Sequence, residues 1–290
     1  LKNDPARLNV DSANAWQKTV RISKTSPLVY ESEIHNWGLV PGIFVKAGNI
    51  DSDSLKEFVM AYWRQDGLID ITLYDVDDTM KITELGNIHD QKIDEPQIIN
   101  LCEDEVYIYE MDVADLNADG IDEIILTGRI NNESSGWHLI ANIYRFNEDS
   151  GEIEVLAKDT IYTQADPDLD IGFINIATGN FYTDQKEHAF ISIFEYETPA
   201  YSNGINDSTY ISNKLIPVNY NEQSGSIISG DAFTERYLKI PNKCYYYRGG
   251  VLTAEDIDKD GLDELFSTFA MSLSYPMFRI YKGASELNLA

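Results

Sequence analysis

Hydrophobic and polar residues alternate in short stretches along most of the chain, and helical periodicity is not sustained anywhere. Ile69, Ile71 and Leu73 alternate with polar neighbours, and Ile153 and Val155 alternate with glutamates. Residues that point to opposite faces of a strand produce this period of two. Turn residues separate the stretches, so the pattern predicts an all-β fold made of short strands and hairpins.

Four segments of the chain share one order of elements: an apolar strand, an acidic loop of nine residues and a second apolar strand. The loop sequences are NIDSDSLKE, DLNADGIDE, NFYTDQKEH and DIDKDGLDE, and they begin at Asn49, Asp115, Asn180 and Asp256. About four strands fit into a repeat of roughly 65 residues. Four-stranded antiparallel sheets repeated around an axis form a β-propeller, which is the architecture we predict.

The repeats also share a tyrosine at the end of a later strand, and the candidates for equivalent positions are Tyr74, Tyr144, Tyr220 and Tyr281. We expect an N-terminal segment at 1–42 and repeats at about 43–105, 106–172, 173–249 and 250–290.

The last repeat has room for about three strands, so the predicted source of its outer strand is the N-terminal segment, through residues 16–23 (WQKTVRIS). Two interpretations stay open. The chain forms a closed ring of four blades, or it forms an arc, or all, of a ring that once had more repeats.

The acidic loops contain the candidate chemistry. Side-chain oxygens at alternate positions can converge on one cation, a glycine allows a sharp turn, a backbone carbonyl adds a ligand and a final glutamate closes the site. The two best-matching loops contain no His or Cys, which argues against zinc or copper and favours Ca²⁺. The candidate ligands are Asp115, Asn117, Asp119, Ile121 (carbonyl) and Glu123; Asp256, Asp258, Asp260, Leu262 (carbonyl) and Glu264; and Asn49, Asp51, Asp53, Leu55 (carbonyl) and Glu57.

The loops differ in how well they match this scheme. Ser54 replaces the glycine in the first loop, which leaves a third site plausible there. Tyr182 and His188 occupy ligand positions in the third loop, 180–188, so we expect no metal in that loop. An EF-hand requires a glutamate at the twelfth position and flanking helices, but Leu126 and Ser267 occupy that position and the flanks are strand-like.

The loops resemble those of the FG-GAP/VCBS repeat family, which includes the propeller of integrin alpha subunits. In that family a D-x-[DN]-x-D-G-x-x-[DE] loop joins the two inner strands of a blade and holds calcium. The second and fourth loops match every position, and the resemblance covers about residues 43–290, although the FG and GAP tripeptides are not evident. It implies a calcium-stabilised propeller that serves adhesion or ligand recognition.

The net charge narrows the choice of partners and location. With 49 acidic and 22 basic residues, the chain carries a formal charge of −27 and would repel nucleic acid and anionic lipid surfaces. No apolar run approaches the roughly 20 residues of a membrane-spanning helix, and the first residue, Leu1, leads us to expect a piece of a longer protein. Extracellular calcium modules bind at about 10⁻⁴ to 10⁻³ M, so we expect a secreted or cell-surface location.

Three function classes are compatible with these features. The first is a non-catalytic propeller that binds a protein or glycan ligand on a loop face, for which the insertion 198–209 and the run Tyr245–Tyr247 are candidate contacts. The second is a secreted carbohydrate-active enzyme or its binding module, with Glu110 and Asp112 as a candidate carboxylate pair. The third is a structural segment of a larger surface protein or filament. No HExxH, GxSxG or phosphate-binding glycine motif occurs, which favours the first class.

Two minor features fit an exported protein without requiring one. Asn132 and Asn206 each begin a glycosylation sequon. Cys102 and Cys244 precede their loops by similar distances and would face each other across a ring of four blades, so we expect free buried thiols rather than a disulfide.

Overall fold

A computed structural model of the chain describes residues 9–10, 18–19, 43–53, 55–63, 68–77, 81–91, 100–101, 104–105, 109–132, 136–164, 166, 169–197, 208–241, 247–271 and 277–282. Within these residues all regular structure is β-strand, and no helix of membrane-spanning length and hydrophobicity occurs among them. The predicted all-β class is therefore confirmed.

Short hairpins flank the first large sheet. β1 (Asn9–Val10) pairs with β2 (Lys18–Thr19). The first large sheet has the order β3 (Ile43–Gly48), β4 (Glu57–Trp63), β5 (Ile69–Val76) and β6 (Ile82–Gln91), and β7 (Asn100–Leu101) then pairs with β8 (Asp104–Glu105).

Three further antiparallel sheets follow along the chain. The second contains β9 (Tyr109–Ala114), β10 (Glu123–Asn132), β11 (Gly136–Asn147) and β12 (Glu152–Gln164). The third contains β13 (Leu169–Gly179), β14 (His188–Glu197) and β15 (Ser208–Asn221), with β16 (Ser226–Ser229) and β17 (Phe233–Pro241) both paired to β15. The fourth contains β18 (Tyr247–Glu255), β19 (Glu264–Met271) and β20 (Met277–Lys282).

Each pair of consecutive sheets shares one hydrophobic core, as the blades of a β-propeller do. Alternation along a strand produces this arrangement. Ile124 and Leu126 of β10 are buried in the core shared with the first sheet, whereas Ile125 between them is buried in the core shared with the third. The chain is thus a β-propeller of four blades, whose third and fourth blades begin at Leu169 and Tyr247 rather than at the predicted 173 and 250.

The two ends of the row of blades are open. The innermost strands pack side by side in the order β3, β9, β13 and β18, and no comparable packing joins β18 to β3 in the described part of the chain. Val45 and Phe58 of the first blade are 55% and 41% exposed, whereas Met111 and Ile124 at the corresponding positions of the second blade are fully buried. Val251 on the opposite face of the fourth blade is 61% exposed.

The predicted closing strand is not seen in the described residues. Lys18 and Thr19, the described part of the candidate 16–23, pair with Asn9 and Val10 in a separate hairpin, and the fourth sheet has three strands. The rest of the candidate lies outside the described residues, so its pairing with the fourth blade stays a prediction.

The predicted equivalence of the four tyrosines is wrong for Tyr220. Tyr74, Tyr144 and Tyr281 each lie opposite the residue that follows the nine-residue loop of their blade. In the third blade that place belongs to Val218, and Tyr220 pairs with Ile227 of β16 instead. Tyr220 therefore lies two residues beyond the place of the other three tyrosines.

Candidate metal-binding loops

The four acidic loops lie next to one another because each connects the innermost strand of a blade to the second strand. We call them the first (49–57), second (115–123), third (180–188) and fourth (256–264) loops and number their positions 1 to 9. Position 9 is the first residue of the second strand in every blade. The closing ligand of each loop is therefore fixed by a sheet, whereas positions 1 to 8 form the turn.

The second and fourth loops have the same sharp backbone turn. Gly120 and Gly261 at position 6 have φ of 88° and 91°, a conformation that side chains disfavour. The carboxylate of Asp115 accepts hydrogen bonds from the N–H groups at positions 5 and 6, at 3.1 and 2.9 Å. Asp256 accepts the equivalent bonds at 3.2 and 3.0 Å. The first residue of each loop thus holds the turn in place with its own oxygens.

The glutamates at position 9 are buried in the three candidate loops: Glu57 and Glu123 have no exposed surface and Glu264 is 5% exposed. In each, one carboxylate oxygen accepts a hydrogen bond from the N–H at position 2, at 2.6, 3.0 and 3.0 Å. The other oxygen of Glu57 and of Glu264 is buried and has no hydrogen-bond partner. A buried, unsatisfied carboxylate oxygen is destabilising unless a cation or donor meets it.

Burial also changes the protonation of these glutamates. It raises the pKa of Glu57, although the N–H of Ile50 opposes the shift. Burial raises the pKa of Glu123 to about 8, against the opposing charge of Arg145. Both shifts indicate carboxylates that lack compensating positive charge.

The structure brings most of the candidate side chains together. Oxygens of Asp51, Asp53 and Glu57 lie within 4.8 Å of one another, as do those of Asp256, Asp258 and Asp260. In the second loop, Asn117 donates to Glu123 at 2.9 Å and to Asp119 at 3.1 Å. The N–H groups of the position 7 residues Leu55, Ile121 and Leu262 donate to the aspartates at position 5.

Asn49 is placed differently from the other candidates. Its amide nitrogen donates to the carbonyl of Gly120 in the second loop, at 2.5 Å. Its assignment as a ligand stays a prediction.

The donor set of these loops fits a hard divalent cation. The side chains that converge offer oxygen and no sulfur or imidazole, and buried glutamate oxygens without partners face the same loops. Hard ions such as Ca²⁺ take six to eight oxygen ligands from carboxylates, carbonyls and water. Glu57 and Glu264, with the aspartates at positions 3 and 5, would hold such an ion.

In the second and fourth blades, a basic side chain of the third strand contacts the loop of the same blade. Arg145 forms an ion pair with Asp119 and lies 3.8 Å from Glu123. Lys282 forms an ion pair with Asp258 and lies 3.0 Å from Asp260. Hydrogen bonds to Asp258 and Asp260 raise the pKa of Lys282. The first loop has no such ion pair among the described residues.

The third loop is closed without an ion. The ring of His188 at position 9 lies 2.9 Å from the carboxylate of Asp184 at position 5, and its other nitrogen contacts Asn219. Tyr182 packs edge-on against this ring with centroids 4.5 Å apart. Burial alone would raise the pKa of Asp184, but the hydrogen bond and charge of His188 outweigh burial and lower it. The imidazole therefore occupies the place that the closing glutamate has in the other loops.

Neighbouring loops are joined by a reciprocal hydrogen-bonded contact, which we call the interloop clasp. The N–H of Asn49 donates to the carboxylate of Asp122 at 2.8 Å, and the N–H of Asp122 donates to the carbonyl of Asn49 at 2.7 Å. Asp115 and Glu187 repeat this exchange at 3.0 and 2.9 Å, and Asn180 and Asp263 at 2.6 and 2.9 Å. Position 1 of one loop is thus bound to position 8 of the next.

Sequence reasoning missed the interloop clasp and the basic residues that reach the loops. The acid at position 8 of three loops binds the backbone of the preceding loop. The usable signal was its recurrence in three loops as Asp122, Glu187 and Asp263. For Arg145 and Lys282 the signal was their place directly after the shared tyrosine.

The carboxylate pair Glu110 and Asp112 lies on β9, on the inner side of the second blade. Asp112 accepts hydrogen bonds from the N–H and hydroxyl of Thr178 at 3.1 Å and forms an ion pair with Lys46 at 3.0 Å. Burial raises the pKa of Glu110 to about 7, against the opposing N–H of Met111 and charge of Lys46. The pair therefore combines a carboxylate bonded to Lys46 and Thr178 with one whose pKa is raised to near neutral pH.

The other candidate recognition residues are outside the described part of the chain. This applies to Tyr245, Tyr246, Asn206, the insertion 198–209 up to residue 207, and the cysteines Cys102 and Cys244. Their predicted roles remain untested.

Comparisons with known proteins add a similarity of fold only. No protein-family model matches the chain, and no curated protein matches it. Among solved structures, the chain is similar to the β-propeller domain of Nup133 from Vanderwaltozyma polyspora, with 11% identity and a TM-score of 0.41. The similarity covers 93% of this chain and 77% of that one.

Proposed function

We propose that this protein is a calcium-stabilised β-propeller, without catalytic activity, that recognises a protein or glycan ligand outside the cell. The calcium sites are the first, second and fourth loops, and the third loop binds no metal. The loops are of the FG-GAP/VCBS type in this proposal, because the second and fourth match that pattern at every position.

One observation carries the calcium assignment: Glu57 and Glu264 each bury an oxygen that has no hydrogen-bond partner, in loops where oxygens of Asp51 and Asp53 cluster with Glu57 and oxygens of Asp256, Asp258 and Asp260 cluster with one another. The chain satisfies a buried carboxylate fully at another site. Glu195, 2% exposed, accepts hydrogen bonds from Tyr162 at 2.6 Å, Ser212 at 2.8 Å and Gln164, and lies 2.8 Å from the ammonium of Lys214. Unsatisfied oxygens that recur at position 9 therefore favour an ion as the missing partner.

Calcium has a structural role in this proposal. Position 9 is part of the second strand, and positions 1 to 7 extend from the innermost strand, so an ion held by both connects the two strands at one end of the blade. Ions that bind only the folded state stabilise it by RT ln(1 + [L]/Kd), which is about 2.7 kcal/mol per site at a hundredfold excess over Kd.

Thermal unfolding with calcium and with EGTA tests this proposal. We expect a higher Tm in 2 mM calcium, because the ion removes the cost of the buried glutamate oxygens, and little change in 2 mM magnesium, which demands a smaller, more regular site. Asp260→Ala should remove part of the calcium-dependent increase. Asp184→Ala in the third loop is the matched control and should leave it intact. Equal Tm values in calcium and EGTA would refute the assignment.

Ligand recognition follows from the architecture together with charge. The −27 charge disfavours nucleic acid and anionic membranes, and calcium affinity in the extracellular range suits an exported protein. Binding to a glycan array or a panel of extracellular proteins, with and without chelator, tests this part of the proposal. A third class, a structural segment of a larger surface protein or filament, predicts no ligand in either assay.

A carbohydrate-active enzyme is the second candidate function. It is favoured by Glu110, whose raised pKa of about 7 suits a general acid beside a second carboxylate, Asp112. Hydrolysis of a glycan that Glu110→Gln abolishes without loss of binding would favour this candidate. Asp112 already pairs with Lys46 and accepts a hydrogen bond from Thr178. We therefore rank the enzyme below ligand recognition as a candidate function.

A further inference from the structure

One position on the third strand of each blade lies beside position 9 of the loop, and the residue at this position differs in charge from blade to blade. It is occupied by Asp75, Arg145, Asn219 and Lys282 in the first to fourth blades. Lys282 pairs with Glu264 across the strands, and Asn219 contacts His188. Asp75 and Arg145 directly follow Tyr74 and Tyr144, which pair with the residues after Glu57 and Glu123. We call this place the flanking position.

In the second and fourth loops the flanking residue is a cation that already binds the candidate calcium ligands. Arg145 pairs with Asp119 and lies 3.8 Å from Glu123. Lys282 pairs with Asp258 and lies 3.0 Å from Asp260. An ion that enters either loop must displace these contacts and then remain near a positive charge.

In the first loop the flanking residue is an acid. Asp75 directly follows Tyr74, which pairs with Phe58, the residue after Glu57. Glu148 comes from the turn of the second blade and accepts hydrogen bonds from the N–H and hydroxyl of Ser52, at 2.5 and 2.9 Å. Three ligand carboxylates and two more acids therefore surround this site, and no basic side chain of the described residues pairs with its ligands.

We propose that the flanking residue sets the calcium affinity of each loop, so that the first loop is the tightest site and Arg145 and Lys282 weaken the second and fourth. This rests on the proposed calcium function. The order reverses the one suggested by the loop sequences, in which the second and fourth match the calcium motif better than the first.

The third loop is consistent with this principle. There the flanking residue, Asn219, contacts the histidine that replaces the closing glutamate, and the same histidine lies 2.9 Å from Asp184. A basic group that is part of the loop itself thus pairs with the position 5 carboxylate. The four loops therefore form a series. The first loop has an acid at the flanking position, the second and fourth have a cation there, and the third has a basic residue within the loop itself.

Calcium titration of flanking-position variants tests the proposal. Arg145→Met and Lys282→Met should each tighten one calcium-binding step by about three- to tenfold, because a competing ion pair at a partly exposed site is removed. Asp75→Lys should weaken the tightest step by at least a similar factor. Calorimetry, or competition with terbium luminescence, gives the binding constants.

Control variants connect each effect to its loop. Lys158→Met removes the same charge from an exposed position on β12 and should leave all binding constants unchanged. Adding Asp119→Ala to Arg145→Met, or Asp260→Ala to Lys282→Met, should abolish the gain. Lys282 is 59% exposed, so its variant is expected to fold normally, which far-ultraviolet circular dichroism verifies.

The possible results separate this inference from the function on which it rests. Calcium binding by the unaltered chain, with binding constants in Arg145→Met and Lys282→Met equal to those of Lys158→Met, would overturn the inference alone. No calcium binding by the unaltered chain would overturn the proposed function and the inference with it. If one calcium-binding step is tighter in both variants, and this gain is lost when the aspartate substitutions are added, the proposed function and the inference are both supported.

Discussion

At the scale of single residues, the buried carboxylates differ in how the protein compensates them. Glu195 receives hydrogen bonds from three side chains and an ion pair. Glu57 and Glu264 have one satisfied oxygen and one without a partner. Glu110 accepts a hydrogen bond from the N–H of Met111 at 3.3 Å and is near the charge of Lys46, but burial outweighs both and raises its pKa to about 7. These differences separate a structural carboxylate, a candidate metal ligand and a proton carrier.

The raised pKa of Glu110 makes a prediction about stability and pH. The folded-state pKa of about 7 exceeds the ordinary 4.5, so the folded protein retains a proton that the unfolded chain loses earlier. The contribution of Glu110 is therefore complete below about pH 4.5 and is lost as the pH rises through 7. Glu110→Gln should remove this loss, so the variant should gain about 2 to 3 kcal/mol relative to the unaltered chain between pH 5 and pH 8.

Denaturant unfolding at several pH values measures this difference. Glu152→Gln, a change at an exposed position of β12, is the control and should run parallel to the unaltered protein. A constant difference between Glu110→Gln and the unaltered protein across the pH range would show that Glu110 does not titrate there.

At the scale of the elements, the interloop clasp depends on the matched sizes of two residues: the residue before one loop and the acid at position 8 of the next loop. Gly48 and Gly179 precede the loops whose clasp partner is an aspartate, and a Cβ at these glycines would lie 2.6 and 2.5 Å from the oxygens of Asp122 and Asp263. Ala114 precedes the loop whose partner is the longer Glu187. An aspartate can approach the backbone only where the residue before the loop is a glycine. The longer glutamate reaches the backbone without meeting the methyl group of an alanine.

This matching predicts a compensating pair of substitutions. Gly179→Ala should destabilise the protein by about 1 to 3 kcal/mol, because the new methyl group meets the carboxylate of Asp263. Asp263→Glu added to it should recover part of the loss, since the pair then resembles Ala114 and Glu187. A double-mutant cycle by chemical denaturation measures the coupling. Additive effects of the two substitutions would contradict the matched-size explanation.

The elements also show how far sequence reasoning reaches. The repeated acidic loops and the period of two along β5 and β12 were sufficient for the all-β propeller and for the clustering of Asp51 with Asp53 and Glu57. They could not give the register of β15, in which Val218 rather than Tyr220 lies opposite the residue that follows the third loop. Contacts between loops, such as Asn49 with Asp122, depend on the packing of blades that are far apart in sequence.

At the scale of the whole molecule, the described blades form a row with two uncovered faces. Val45 on the first blade is exposed where Met111 of the second blade is buried, and Val251 on the fourth blade is exposed on the opposite face. The interloop clasp also stops at the ends, because Lys56 stands at position 8 of the first loop, where the other loops have an acid. An ammonium group cannot accept a hydrogen bond from the N–H of a preceding loop. The interloop clasp that joins the inner blades therefore cannot join the fourth blade to the first.

Charge is the second property of the whole molecule. The formal charge of −27 repels itself in a compact fold, and much of it lies in the row of acidic loops. Three calcium ions would lower it to −21. In the proposed function, folding and ion binding would be coupled: ions bound at the loops would reduce self-repulsion and satisfy Glu57 and Glu264, and the folded chain would hold the carboxylates together.

Counting the calcium ions bound by the folded chain tests the central claim most directly. Equilibrium dialysis at 2 mM calcium, followed by metal analysis, should give three ions per chain. The number should fall to two with Asp53→Ala, Asp119→Ala or Asp260→Ala, and stay at three with Asp184→Ala. A folded chain that retains no calcium, or that still binds three ions after all three of the first substitutions, would contradict the account.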